Sequence, residues 1–396
     1  MTVEPRGARV ESVARAILRG WLWLKIAVWA VFLPSFGVLC LLHHLVGAAL
    51  LLAIMGIALS YWALRPLAAA SESRTIRGFA VSSPLLHVAL AVLSLVSLLL
   101  PLEGGWEKIE AAATLSDPVL TRTEDGVIVI EGGGPDKTTL WSDDGGETWV
   151  DRGMPGLLGW YLAHDPQRDW LWVGASAGPV TMYDRITERW LQLDKPEGQV
   201  RALAVHDGRV FISVDGRLLY TDDEVDDWVP LSVLRRCDGL ASAPGATGLL
   251  LATGDRWLAS RDGGDTWEEL PQPAGAAEVL RFPGAAIGGG DIRYVWDGGM
   301  LQGGLAVAVG DAPFELRSLP QSDVRTLVAD PVDGRHVWIG TWGQGVYRST
   351  DAGERWEDMG LQKIQAGSLT VDFTRRRAFV GSRNLAFDRG VYLRSF

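Results

Sequence analysis

An eight-residue motif that recurs along the chain constrains the fold more than any other feature of the sequence. It has the form Ser-x-Asp-x-Gly-x-x-Trp, and β-type sequence lies on both sides of each clear copy. In such a motif the aspartate accepts hydrogen bonds from backbone amides and the glycine adopts a positive φ. The motif therefore predicts a turn between the third and fourth strands of a four-stranded unit. Its defining residues are Ser142, Asp144, Gly146, Trp149, Ser260, Asp262, Gly264, Trp267, Ser349, Asp351, Gly353 and Trp356.

The residues that open the expected fourth strands are regularly spaced. They are Trp149, Trp190, Trp228, Trp267, Phe314 and Trp356, at steps of 41, 38, 39, 47 and 42 residues. A period of about 40 residues is typical of β-propellers. Two incomplete units remain, because Trp106–Ile109 resembles a fourth strand and Gly390–Phe396 resembles a third strand. Together they would complete one sheet and close a ring, so the sequence predicts an all-β, seven-bladed propeller over residues 105–396.

Three apolar runs precede this region, at about residues 21–42, 45–64 and 84–102. Each is near the ~20 residues that a helix needs to span a ~30 Å hydrocarbon core. They predict an N-terminal α-helical transmembrane domain of three helices within 21–104, after a cytoplasmic segment at 1–20. Arginines before the first run and between the second and third favour a cytoplasmic N-terminus by the positive-inside rule. The predicted localisation is thus multi-pass in the cytoplasmic (inner) membrane, with an extracytoplasmic (periplasmic) propeller.

Charge and cysteine content exclude several classes of protein. Residues 105–396 carry 29 Lys and Arg against 44 Asp and Glu, a net of −15. An acidic domain is poorly suited to nucleic acid, whose binding releases counterions through a positive face. Two cysteines, Cys40 and Cys237, can form neither a disulfide framework nor a four-ligand zinc site. His43, His44 and His87 could ligate haem or a metal, but His43 and His44 fall in an expected interfacial turn where polar groups are hydrated, so we expect no metal and no cofactor.

The repeats resemble the Asp-box (BNR/sialidase-like) propeller families, which include sialidases, sortilin-type receptors, xyloglucanases and photosystem II assembly-factor propellers. The assembly-factor type is the nearest, since His164-Asp165-Pro166 and Ala329-Asp330-Pro331 stand where that type opens a hairpin with Asp-Pro. This resemblance covers residues 106–396. It implies a non-enzymatic, extracytoplasmic propeller with an arginine-rich face that holds a membrane-protein partner.

The sequence offers no catalytic constellation, so we expect no catalytic residues. The opening motif of sialidases, an aromatic residue followed by Arg, an aliphatic residue and Pro, is absent; Arg281-Phe282-Pro283 has a different order. Glycoside hydrolysis needs two carboxylates ~5–9.5 Å apart, and an acidic chain offers too many pairs to choose from. Neither a phosphate-binding loop nor a serine nucleophile elbow is present. A glycan-binding protein or glycosidase of the sialidase-like superfamily stays open as an alternative, and a transmembrane sensor is a weaker one.

Partner binding is predicted at four residues. Trp160, Arg201 and Arg325 occupy one equivalent position, two residues into the innermost strand of their repeats, where side chains line the channel. Trp342 lies in the nearby turn Trp342–Gly345. Arg and Trp are frequent binding hot spots, although these side chains could instead plug the channel or pair with neighbouring acids.

The predicted function is a non-catalytic, membrane-anchored docking, assembly or accessory subunit of a membrane protein complex. Contact with that complex is expected through the propeller face and the transmembrane helices, which would also contact the lipid bilayer. Small residues that would allow close helix packing are Gly47, Ala48, Ala49, Gly56 and Ala58.

Overall fold

The fold is described from a computed structural model of the 396-residue chain. The chain divides into two units, Met1–Pro101 and Leu102–Phe396. The structure describes residues 88, 89, 91, 92, 105–115, 117–123, 126–130, 138–153, 159–175, 178–222, 227–243, 248–281, 283–297, 303–362, 364–383 and 389–396, with the backbone alone at 127, 129, 130, 159 and 160.

Within this part of the chain, 28 β-strands form seven four-stranded antiparallel sheets. In chain order the strands are β1 (Glu107–Lys108), β2 (Val119–Arg122), β3 (Val127–Ile130), β4 (Thr139–Ser142), β5 (Val150–Asp151), β6 (Gly159–Asp165), β7 (Trp170–Ala175), β8 (Val180–Asp184), β9 (Arg189–Leu193), β10 (Val200–His206), β11 (Arg209–Val214), β12 (Arg217–Thr221), β13 (Val229–Leu231), β14 (Cys237–Ala243), β15 (Leu249–Gly254), β16 (Trp257–Ser260), β17 (Glu268–Leu270), β18 (Gly284–Gly288), β19 (Ile292–Asp297), β20 (Gly304–Val309), β21 (Glu315–Arg317), β22 (Val324–Ala329), β23 (Val337–Thr341), β24 (Val346–Ser349), β25 (Glu357–Asp358), β26 (Ala366–Asp372), β27 (Arg377–Ser382) and β28 (Gly390–Ser395). A 3-10 helix, Glu110–Ala112, and a short α-helix, Ala276–Val279, lie between strands.

Each sheet is one blade, and the blades are arranged radially. Blades 1 to 6 are β2–β5, β6–β9, β10–β13, β14–β17, β18–β21 and β22–β25, and blade 7 is β26–β28 with β1. The first strands of consecutive blades contact one another in order, and the first strand of blade 7 contacts that of blade 1. The first strands therefore form the inner wall of a closed ring, which is the architecture of a β-propeller.

The hydrophobic core lies between the blades. Seven buried clusters occur in the described residues, and each joins two adjacent blades. In the cluster between blades 3 and 4, for example, Phe211 and Leu250 are fully buried. Burying one such side chain stabilises the fold by about 1.5–3 kcal/mol. Because both faces of each blade are covered, second strands such as β11 and β15 are almost wholly buried, whereas outer strands such as β25 are exposed.

The ring closes through a sheet shared by distant parts of the chain. β1 pairs antiparallel with β28, with Glu107 opposite Leu393 and Lys108 opposite Tyr392. Next to β1, Trp106 is buried and donates a hydrogen bond from Nε1 to the carbonyl oxygen of Met359, 2.7 Å away. The predicted pairing of Trp106–Ile109 with Gly390–Phe396 is confirmed.

The expected fourth-strand openers lie where the repeat places them. Trp149 immediately precedes β5, Trp267 precedes β17 and Trp356 precedes β25, while Trp190 lies within β9. Phe314 precedes β21 although no aspartate motif comes before it. The spacing of aromatic residues therefore locates the outer strands even where the turn motif is missing.

The Ser-x-Asp-x-Gly-x-x-Trp turns lie between the third and fourth strands. In the turn of blade 4, Ser260 Oγ donates to Asp262 at 2.8 Å, and the amides of Gly264 and Thr266 donate to Ser260 Oγ and Asp262 at 2.8 and 2.9 Å. Hydrogen bonds from Thr266 and Ser260 lower the pKa of Asp262 to about 2. Equivalent bonds join Ser142 to Asp144 and Ser349 to Asp351, at 2.7 and 2.8 Å.

An arginine and a phenylalanine of the preceding blade hold two of these turns. Arg209 donates to the carbonyl oxygen of Gly263 at 2.8 Å, and Arg377 donates to that of Gly145 at 2.7 Å. Phe211 and Phe379, two residues further along the same strands, lie so close that a Cβ at Gly264 or Gly146 would come within 2.7 Å of the ring. The glycine of the motif thus permits close packing between blades as well as a positive φ.

The transmembrane part of the predicted fold class is corrected. Among the residues that the structure describes, no helix has the length and apolar character needed to cross a membrane. The α-helix Ala276–Val279 has four residues and is about 6 Å long at 1.5 Å per residue, far short of a ~30 Å hydrocarbon core. The prediction of a multi-pass membrane localisation, which depended on such helices, is corrected with it. The three expected helices at 21–104, with their small residues, lie outside the described residues apart from 88, 89, 91 and 92.

Candidate functional site

One end of the channel carries a repeated irregularity in the inner strands. The register between first and second strands shifts by one residue in blades 2, 3, 4, 6 and 7, each time at the second residue of the first strand. Such a β-bulge leaves one residue unpaired and redirects its side chain. The five bulge residues, here called the bulge rim, are Trp160, Arg201, Asp238, Arg325 and Gly367.

The bulge rim lies at the end of the blades opposite the aspartate turns. In a four-stranded antiparallel blade, the start of the first strand and the connection between the second and third strands share one end. The turn between the third and fourth strands lies at the other end. Asp144, Asp262 and Asp351 are therefore remote from the rim, and their hydrogen bonds give them a structural role.

Two of the predicted binding residues contact each other. The guanidinium of Arg325 lies over the indole of Trp342, with 4.9 Å between Cζ and the ring centroid. Arg325 also pairs with Asp323, at 2.6 Å between Nη2 and Oδ1. Burial raises the pKa of the Asp323 carboxyl, and the charge of Arg325 opposes this rise. Trp342 is half-buried and donates its amide to the carbonyl oxygen of Asp323 at 3.1 Å.

Arg201 differs from Arg325 in that no side chain of the described residues pairs with it. Its side chain is exposed, and no hydrogen bond or ion pair joins it to another residue within the described ranges. The nearby bulge residue Asp238 is held by Arg236, with Nε 2.7 Å from Oδ2. Burial raises the pKa of Asp238, while the hydrogen bond from Arg236 and the charges of Arg236 and Arg201 lower it. Arg201 therefore places a positive charge near the Asp238 carboxylate.

The bulge residue of blade 7 is a glycine, and an arginine from the adjacent connection fills its place. A Cβ at Gly367 would lie 2.1 Å from Cγ of Arg383, so the arginine crosses the strand where a side chain would stand. Arg383 Nε lies 2.7 Å from Oδ1 of Asp117. Burial raises the pKa of Asp117, and the charge of Arg383 lowers it.

The structure thus gives the predicted binding residues different positions. Arg201 and Arg325 are bulge residues at the same end of the channel, and Trp342 joins the rim through Arg325. Trp160 is the bulge residue of β6, but its side chain lies outside the described part of the structure.

Sequence reasoning missed Asp238, Gly367 and the acids Asp117 and Asp323. Asp238 and Gly367 occupy the same aligned position as Arg201, so a comparison of all repeats at that position would have found them. Asp323 lies two residues before Arg325, whereas nothing in the sequence links Asp117 to Arg383.

No metal site is evident in the described part of the chain, where no three His, Cys, Asp or Glu side chains are grouped closely enough to hold an ion. The expectations of no catalytic residue, no metal and no cofactor stay predictions. The geometry of the rim, with exposed guanidinium groups, an indole and buried carboxylates, suits the binding of polar protein segments.

No protein-family profile matches the chain, and no curated protein matches it. Among solved structures, YCF48 from Cyanidioschyzon merolae is similar at 16% identity, with 73% of this chain and 98% of that chain covered and a TM-score of 0.52. YCF48 bound to a D1 peptide is similar at 17% identity, with 74% and 96% covered and a TM-score of 0.52.

The extracellular domain of the hybrid two-component system BT3049 from B. thetaiotaomicron is similar at 14% identity, with 74% and 41% covered and a TM-score of 0.56. Likeness at such low identity shows the fold alone. The predicted propeller fold is therefore supported by solved propellers that include YCF48.

Proposed function

We propose that this chain is a non-catalytic propeller that binds a segment of a protein partner at the bulge rim, and so acts as a docking, assembly or accessory subunit of a protein complex. The observation that carries the proposal is a rim on which Arg201 is exposed, with no ion pair among the described residues, and on which Arg325 lies over Trp342. Arginine and tryptophan contribute strongly to protein interfaces because both offer large contact areas with specific polar groups.

A similarity to a solved structure also supports a protein partner. One of the similar propellers, YCF48, has been solved with a D1 peptide bound, so a propeller of this general shape can hold a peptide. An integral membrane complex, the partner that the sequence favours, is the first complex to test.

A glycan-binding role is less well supported. Stacking of a sugar ring requires an open aromatic face, and the guanidinium of Arg325 already covers one face of Trp342. The ion pair between Arg325 and Asp323 fixes that guanidinium in place.

Capture of partners from native extracts by the tagged full chain tests the proposal. Arg201→Glu and Arg325→Glu should each reduce recovery of the same partner, because they place negative charge in the rim. Arg189→Glu is the matched control, since Arg189 is an exposed arginine on the outer strand β9. Equal recovery with all three variants would show that the rim does not bind the partner, and binding on a glycan array would favour the alternative.

A further inference from the structure

A cleft opens between blade 7 and blade 1 on the outer side of the ring, where β1 closes it. Its volume is about 510 Å³. β1 and the 3-10 turn after it form one wall, and the aspartate turn of blade 1 forms the other. This closure cleft lies beside Gly146 and Glu147, and therefore at the end of the blades opposite the bulge rim.

The floor of the closure cleft is apolar. Ile109, Trp149 and Leu393 line it, and all three are half-buried against the hydrophobic cluster between blades 7 and 1. Trp149 Nε1 donates to the carbonyl oxygen of Gly146 at 3.2 Å, and its ring meets that of Phe379 edge-on at 6.4 Å. The floor is therefore an ordered apolar surface that is only partly covered.

Carboxylates line the walls of the closure cleft. They belong to three exposed residues, Glu107, Glu110 and Glu147. Arg377 of blade 7 pairs with Glu147. Lys108 also lines the cleft, and its ammonium lies 5.7 Å from the centroid of the Tyr392 ring. In the part of the chain that the structure describes, the other two carboxylates form no ion pair, so a cationic ligand would be attracted to them.

The size of the cleft and its apolar floor restrict what this ligand can be. Small-molecule pockets occupy ~300–1,000 Å³, whereas a water molecule occupies ~30 Å³, so the cleft is too large for a single ion. A long basic side chain suits it better, because the methylene stem packs on apolar surface while the charged end stays with polar groups. Arginine already lies on indole in this way elsewhere in the chain, where Cζ of Arg185 is 5.1 Å from the centroid of Trp141.

We infer that the closure cleft binds a lysine or arginine side chain within an extended segment of a protein partner. The cation lies between the carboxylates of Glu107 and Glu110, and its stem covers Trp149 and Leu393. A protein segment also brings apolar neighbours of the basic residue onto the floor, which a free polyamine does not. The cleft is thus a second interaction surface, separate from the bulge rim, and goes beyond the proposed function.

Selection of displayed peptides tests the inference. Random decapeptides are selected on the full chain carrying Arg201→Gln and Arg325→Gln, which removes two exposed guanidinium groups of the rim and leaves the cleft unchanged. Enriched peptides should share a Lys or an Arg, and the residue that recurs identifies the preferred cation. The dissociation constant of one enriched peptide is compared with that of its Lys→Gln or Arg→Gln form, which we expect to bind ~2- to 30-fold more weakly.

Substitutions in the cleft show where the peptide binds. Glu107→Gln together with Glu110→Gln should weaken the basic peptide by ~2- to 30-fold, as for loss of two exposed ion pairs, and leave its neutral form almost unchanged. Higher salt should weaken the basic peptide in the same direction. Glu268→Gln together with Glu278→Gln is the matched control, because both are exposed acids outside the cleft that form no ion pair within the described ranges.

Several outcomes would overturn the inference. It is wrong if no peptide is enriched, if the enriched peptides lack Lys and Arg, or if the cleft variant binds them as tightly as the control does. Spermidine that binds as tightly as the peptide, with the same dependence on Glu107 and Glu110, would assign the cleft to a free polyamine. Self-association of the full chain that the cleft variant abolishes would assign it to a second copy.

None of these outcomes bears on partner binding by the bulge rim, because the rim arginines are already replaced in the selection. Circular dichroism melting of each variant shows whether lost binding reflects lost folding. The Glu→Gln changes keep side-chain size at exposed positions, so their melting temperatures should match that of the parent chain.

Discussion

The guanidinium of Arg325 is held between the carboxylate of Asp323 and the indole of Trp342, with its Cζ 4.9 Å from the indole centroid. Arg201 occupies the equivalent bulge of blade 3, where the part of the chain that the structure describes provides no such partners. The bulge arginine is therefore held by neighbouring side chains in blade 6 and exposed in blade 3. This difference predicts different effects of the same substitution.

Replacement of these two arginines by alanine should separate binding from stability. Arg325→Ala leaves the Asp323 carboxylate without its partner, so the free energy of unfolding should fall by about 1 kcal/mol, since the pair is partly screened by solvent. Arg201→Ala should change it by less than about 0.5 kcal/mol, as for other exposed sites. Both variants should weaken partner binding. Urea denaturation measures the first effect, and equal losses of stability would contradict the contrast drawn here.

Gly264→Ala should destabilise the propeller more than Gly263→Ala. Both glycines have positive φ, +92° and +70°, so both substitutions introduce backbone strain of about 1–2 kcal/mol. Only at Gly264 does the new Cβ also approach the ring of Phe211, at 2.7 Å, whereas at Gly263 the nearest atom is 3.8 Å away. We expect an additional loss of about 1–3 kcal/mol at Gly264 from overpacking. Similar melting temperatures for the two variants would show that the aromatic ring of Phe211 moves to accommodate the new Cβ.

The stabilising effect of Asp262 should depend on pH. Hydrogen bonds from Thr266 and Ser260 lower its pKa from 3.8 to about 2 in the folded protein. Because the pKa of Asp262 is lower in the folded than in the unfolded protein, its ionised carboxylate stabilises the fold at pH values above the unfolded-state pKa. This stabilisation is lost as the pH falls through the folded-state pKa.

The melting temperature of Asp262→Ala should therefore lie below that of the unmodified protein at neutral pH, and the gap should narrow between pH 3.8 and about 2. Asp227→Ala is the control, because Asp227 is exposed before β13 and makes no ion pair with another residue in the described ranges. If the difference in melting temperature stays constant down to about pH 2, Asp262 does not stabilise the fold through its charge.

Trp106→Ala should weaken closure of the ring. Trp106 is 4% exposed, packs between blades 6 and 7 and donates to Met359. Truncation of a buried tryptophan costs about 3–5 kcal/mol, which is a large part of the stability of an ordinary domain. Trp356→Ala, at the half-buried opener of β25, should cost less. Chemical denaturation of both variants measures the difference, and equal losses would show that closure does not depend on Trp106.

The sequence predicts the positions of the outer strands and the pairing of β1 with β28 more completely than it predicts the residues of the binding site. Aromatic residues at steps near 40 residues marked the fourth strands, including the one after Phe314 that lacks the turn motif. These signals are local, because an aromatic residue and its strand are adjacent in the chain. The apolar runs before residue 105 predicted transmembrane helices, and the described structure does not contain one.

The partners of the rim could not be predicted in the same way. Arg383 and Asp117 lie 2.7 Å apart although 265 residues separate them in the chain. Nor could spacing reveal that Arg325 pairs with Asp323, because such a pair depends on the acid that the connection before the strand places beside the bulge.

The shared sheet of blade 7 affects how the protein is made on the ribosome. β1 emerges early during synthesis, yet its partner β28 follows every other strand of the ring. Until β28 is released, the apolar surfaces that blade 7 covers on blades 6 and 1 remain open to solvent or to other nascent chains. Pairings of such long sequence separation form slowly and expose aggregation-prone surface in the meantime. The pairing that closes the ring therefore makes chaperone assistance most valuable in the interval before β28 joins β1.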